Sequence, residues 1–157
     1  TSDVIQQFAG YTSGIVIISA WLYIPSSATG EQYFILLDAY DHGGTTNHWA
    51  VQLNFEAGQV ESQFDNVFYP TVTDQWAELK VQIDLDNDDM QIFYNGAMFL
   101  NKPWSSGSNN DFLGVPNIAC LDLFSNAGST VYWDDITLVW VTTGVEESSW
   151  SQVKSLY

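Results

Sequence analysis

The chain has 157 residues, 46% of them hydrophobic and 15% aromatic, which fits one domain with a proper core and excludes disorder. Nineteen Asp and Glu stand against three Lys and no Arg, for a net charge of -16. That charge repels phosphate backbones and anionic headgroups, so nucleic acid and membrane surfaces are excluded as partners and cations are favoured. No stretch reaches the roughly 20 apolar residues of a membrane-spanning helix, so no membrane insertion is expected. The single Cys120 rules out an internal disulfide and a cysteine-rich zinc site, and its apolar setting predicts a buried, inert thiol. The chain opens with neither Met nor a basic leader, and we read it as a mature or excised piece of a longer secreted or cell-surface protein.

Strand signals follow one another along the chain. Ile15 to Ile24 is β-branched and aromatic and stops at Pro25-Ser26-Ser27. Gln32 to Tyr40 ends at Asp41-His42-Gly43-Gly44; His48 to Phe55 turns at Glu56-Ala57-Gly58 into Gln59 to Phe64. From Trp76 to Leu85 apolar and polar residues alternate with period two. This predicts an inner face of Trp76, Leu79, Val81, Ile83 and Leu85, with a bulge near Ala77 to reconcile Trp76 with Leu79. Asp86-Asn87-Asp88 is a tight turn, Met90 to Tyr94 the return strand, and Asn95-Gly96 a two-residue hairpin turn into Ala97 to Leu100. Residues 103–116 read as a long polar surface loop, and Ile118 to Phe124 and Thr130 to Val141 as further strands. No helical period appears. The expected fold is therefore an all-β, two-sheet antiparallel sandwich over residues 1–141, with 142–157 as a linker or tail.

Three stretches carry a resemblance: Ile18-Ser19-Ala20-Trp21-Leu22-Tyr23-Ile24-Pro25, the Trp76 to Gly96 segment with its Phe-Tyr-Asn-Gly turn, and Val131-Tyr132-Trp133-Asp134-Asp135-Ile136-Thr137-Leu138. Together they resemble the concanavalin A-like lectin/glucanase superfamily, with its laminin-G-like jelly rolls, in a bacterial secreted or surface form. The resemblance implies a jelly roll and a function in that superfamily's range: lectin, glycosidase or adhesion module. Gly144-Val145-Glu146-Glu147 and Val153 to Tyr157 are similar to the lead-in to a C-terminal sorting domain, which implies neighbouring domains in a larger chain.

A glucanase of this fold needs carboxylates at alternate positions of one strand, as in Glu-x-Asp-x-x-Glu, and that motif is absent. His42 and His48 flank a glycine-rich loop with no nucleophile elbow. The chain is accordingly read as not an enzyme. Asp84, Asp86, Asp88 and Asp89 lack the glycine and closing Glu of a calcium loop and read as a solvated turn. Asp134 and Asp135 are adjacent in a strand, so they point to opposite faces, and one of them needs a partner. The resemblance implies a structural Ca²⁺ between such an Asp and the N-terminal segment, here Asp3; backbone capping by either Asp is the alternative.

Sugars stack on aromatic rings while Asp, Asn and His bond their hydroxyls. Two loops carry those residue types and supply the candidate ligand set of Tyr40, Asp41, His42, Asn47 and His48 with Trp104, Asn109 and Asn110. Tyr40 and Trp104 are taken as the exposed rings, and Trp49, at a strand start, as core. The function expected is a non-catalytic carbohydrate-binding accessory module of a secreted protein. A structural or adhesion module contacting an extracellular protein in a surface layer, filament or adhesin is the alternative, and a glycoside hydrolase remnant the third reading.

Overall fold

A computed structural model describes residues 2–128 and 130–142. Its strands are β1 (Ser2–Gln7), β2 (Ile15–Tyr23), β3 (Gly30–Ala39), β4 (His48–Glu56), β5 (Gln59–Ser62), β6 (Val67–Pro70), β7 (Trp76–Asp84), β8 (Asp89–Tyr94), β9 (Ala97–Lys102), β10 (Cys120–Gly128) and β11 (Tyr132–Val141). They form two antiparallel sheets, one of six strands in the order β1-β10-β3-β4-β5-β6 and one of five in the order β11-β2-β7-β8-β9. Period-two alternation turns Val16, Ile18, Ala20 and Leu22 of β2 and Ala77, Leu79, Val81 and Ile83 of β7 inward. They meet Phe34, Leu36, Leu53, Phe55 and Leu121 of the facing sheet in one core. Phe55 bridges the layers, with Tyr94 at 5.7 Å and Trp133 at 5.8 Å between ring centroids.

Two short strands, β1 and β6, escaped the sequence reading, because each lies at a sheet edge and is mostly exposed. Strand β5 stops at Ser62 rather than Phe64, since Phe64 and Asn66 take left-handed φ of 69° and 54° and make a turn. No bulge lies near Ala77. The β2–β7 register runs unbroken from Ile15↔Asp84 to Tyr23↔Trp76, so Trp76 falls on the outer face and is 45% exposed, a correction to the inner face expected.

The acids at 84–89 serve the turn. Asp84 accepts the amides of Asp86 and Asn87, Asp86 accepts that of Gly14, and Asp88 accepts the amide and hydroxyl of Ser105. Residues 143–157, most of the expected tail, lie outside the described residues.

Candidate functional site

The six-stranded sheet is apolar on its outer face as well as its inner one. Tyr33, Ile35 and Leu37 of β3 and Cys120 of β10 form a second cluster there, with Phe124 and Tyr40 against it. Beside this cluster lies a groove of about 550 Å³. Its floor is Ile35, Gln52 and Trp49, its β1–β10 side is Asp3, Asp122 and Phe124, and its rims are Phe64 and the Ser108–Asn109 backbone turn.

Trp49 reaches this face through a register fault. Residues 51, 53 and 55 point inward, so strict alternation would bury residue 49, but the β3–β4 pairing shifts twice between Leu36 and Ala39. The bulge opposes Trp49 to the outward Leu37 and leaves its indole 43% exposed, which corrects the core position expected. Trp104 is the opposite case. Expected on the surface, it is 1% exposed in a 3-10 turn, Trp104–Ser106, where its Nε1 donates to the Val115 carbonyl at 3.0 Å. The ring thus anchors the 103–116 loop into the core.

Polar struts hold the groove's rims. Lys102 Nζ donates to both Asp65 oxygens at 3.0 and 2.9 Å and to the Gly107 carbonyl at 2.7 Å, and Asn110 and Ser62 also donate to Asp65. This nearly buried pair ties the Phe64 turn to the 107–110 loop. The Ser108 amide donates to the Trp49 carbonyl at 2.7 Å, fastening that loop to the floor.

A second strut stands behind. His48 Nδ1 lies 2.6 Å from the buried Asp38 and Nε2 lies 3.0 Å from Asp111. Carboxylates accept, so this placement between two of them favours the ring with a proton on both nitrogens. Burial works against that charge, but hydrogen bonds from the ring to Asp111 and Asp38 outweigh it and raise the His48 pKa above its usual value. The Leu113 amide, then His48, lower that of Asp111. Asp38 also accepts the Val115 amide. Gly107 is required here, since its φ is +67° and a Cβ would stand 2.9 Å from the His48 ring.

On the groove's β1–β10 side, burial, then the Asp3 carboxyl bonded to it, pushes Asp122 up to about 7. No donor among the described residues reaches the buried Oδ1 of Asp122, and burial beside the Asp3 carboxyl favours the protonated form of Asp122.

Of the ligand residues expected from sequence, Asn109 alone lines this groove. Tyr40 lines a separate depression of about 540 Å³ at the end of the sandwich and bonds His42 at 3.1 Å. The Asp41 amide donates to Asn47, closing that loop on itself. His48 has both nitrogens engaged, and Asn110 is spent on Asp65. Sequence reasoning missed Trp49, Gln52, Phe64, Asp122 and Phe124. For the last two the signal was legible: in Cys120-Leu-Asp-Leu-Phe124 the leucines take one face and Cys, Asp and Phe the other.

The residues expected to hold Ca²⁺ are not brought together. Asp3 lies on the outer face of the six-stranded sheet, whereas Asp134, paired with Trp21, lies on the outer face of the other. Asp134 Oδ1 accepts the Asp135 amide at 2.9 Å, capping a bulge in which Asp135 has φ 45°. Among the described residues no group of three or more His, Cys, Asp or Glu is arranged to hold a metal ion.

No known sequence family matches the chain, and no curated protein does. Solved structures do match it. A sialidase superposes with a TM-score of 0.60 at 8% identity over 90% of this chain, which spans only 14% of that protein. Sheep galectin-11, solved with glycerol, gives 0.55 at 10% identity, covering 88% of this chain and 98% of its own. A family 7 alginate lyase, solved with the substrate GGMG, gives 0.55 at 11% identity, covering 85% and 64%. The fold is the concanavalin A-like jelly roll. The expectation from Trp76 to Gly96 and the closing strand is met at the level of fold, which in the matched proteins serves lectins and enzymes alike.

Proposed function

We propose that this jelly roll is a non-catalytic module of an extracellular protein that binds neutral glycans in the Trp49 groove. The observation that carries the reading is the Trp49 indole, turned by a bulge onto the outer face and ringed by side chains of two kinds. Phe64 and Phe124 offer apolar faces for sugar C–H groups, while Gln52 and Asn109 offer donors and acceptors for hydroxyls. The acids at Asp3 and Asp122, on a chain of charge -16, disfavour uronates and sialylated sugars.

Two features support a binding rather than a hydrolytic role. The Glu-x-Asp-x-x-Glu arrangement of carboxylates on one strand, which a glucanase of this fold needs, is absent from the sequence. The one histidine near the groove is locked between two carboxylates. A glycan array tests the proposal. Binding to neutral oligosaccharides that Trp49→Ala abolishes is expected; an array with no binder, or one whose binders survive that substitution, would overturn it.

A further inference from the structure

The opposite outer face, on the five-stranded sheet, has its own concentration of aromatic rings. Cross-strand pairing sets Tyr132 of β11, Tyr23 of β2 and Trp76 of β7 in one row, and Asp134, Trp21 and Glu78 in the next. Trp21, Trp76 and Tyr132 are 41%, 45% and 53% exposed. These rings do not form a flat platform. Tyr23 lies 5.6 Å from Trp76 at 58° and 6.0 Å from Tyr132 at 69°, so the rings tilt against one another rather than pave a strip on which a sugar chain could lie.

The charges decide what such rings would take. Trp21 stands directly between two carboxylates, each a cross-strand neighbour with Cβ atoms about 5 Å away. The Asp134 carboxylate is held in place by the Asp135 amide. Among the described residues neither Glu78 nor Asp134 has an ion-pair partner. In the row after Trp21 and Glu78 on the same face, Lys80 already places its ammonium 4.5 Å over the Phe93 ring, so this surface holds one cation on an aromatic face within its own structure. An indole is the strongest aromatic partner for a cation, and flanking carboxylates add to the attraction.

We propose that this face is a second binding site, for an alkylated ammonium ion, with the exposed Trp21 indole receiving the cation, the tilted Tyr23, Trp76 and Tyr132 rings in the adjoining row, and Glu78 and Asp134 supplying countercharge. The site does not depend on the Trp49 groove. Its test is an NMR titration of the indole N–H signals with tetramethylammonium chloride, run beside sodium chloride at matched ionic strength and beside the neutral isostere 3,3-dimethylbutanol. Saturable shifts of the Trp21 and Trp76 signals by the ammonium alone are expected, weakened at least tenfold in Glu78→Gln/Asp134→Asn and unchanged in Trp49→Ala. The double substitution touches only surface groups, so the fold survives it. Equal shifts from the neutral isostere or from sodium chloride, or no saturation, would overturn the proposal, as would a double variant that binds like the parent. A peptide bearing trimethyllysine identifies the source: tighter binding than tetramethylammonium indicates a protein ligand, and equal binding a free ion.

Discussion

The two outer faces of this sandwich both expose tryptophan, but they are built differently. On the five-stranded sheet the exposed rings follow from unbroken alternation, with Trp21, Tyr23 and Trp76 simply the outward residues of β2 and β7. On the six-stranded sheet Trp49 is outward only because the β3–β4 register slips, and its surroundings are assembled from loops fastened by Lys102–Asp65 and by Asp38–His48–Asp111. One face is a regular surface. The other is a shaped groove that depends on polar struts, and that dependence separates their responses to mutation.

The largest difference is expected from Asp65→Ala. It strands the nearly buried Lys102 charge and should cost about 3 to 5 kcal/mol in urea unfolding, together with the groove's affinity. Glycan binding is next: Trp49→Ala should weaken it at least tenfold, roughly 1.4 kcal/mol or more, with little change in unfolding midpoint. A titration of the Glu78→Gln/Asp134→Asn variant with the same glycan should show no change, so parallel losses from both variants would erase the contrast between the faces.

A smaller effect concerns pH. Asp122 titrates near 7 in the folded chain against about 3.9 when unfolded, so between those values the unfolded state releases its proton first and stability falls as pH rises. His48 acts in the same direction: its raised pKa contributes stability below its unfolded value near 6.5, lost as pH climbs through the folded one. Thermal melts should therefore show a lower midpoint at pH 8 than at pH 5.5. Asp122→Asn should shrink that gap, and an unchanged gap would show that Asp122 does not keep its proton in the folded chain. Least affected is the regular face, where Glu78→Gln should move stability by no more than about 0.5 kcal/mol.

How far the sequence could be read follows the same division. Residues 79–94 show their alternation openly, and the Asn95-Gly96 turn and the capping acids at 84–88 behave as local chemistry dictates. Trp49 and Trp104 were each placed on the wrong side, because neither answers to local pattern. A slip in register set by the partner strand turned Trp49 out, and the Val115 carbonyl together with the core's end drew Trp104 in. Most of the loop side chains expected as ligands are consumed in closing loops: Asn47 on the Asp41 amide, His48 with Asp38 and Asp111, Asn110 with Asp65. Whether a polar side chain faces a ligand or its own backbone depends on the tertiary pairing of distant loops, which no single stretch of sequence states.

The groove over Trp49 and the regular aromatic face are predicted to differ most sharply in binding sugar, which only the groove should do. Calorimetric titration of the strongest neutral oligosaccharide from an array into Trp49→Ala and Trp21→Leu, side by side, tests it directly. Loss of the binding heat in Trp49→Ala with parent-like affinity in Trp21→Leu is the predicted result, and the reverse pattern would contradict it.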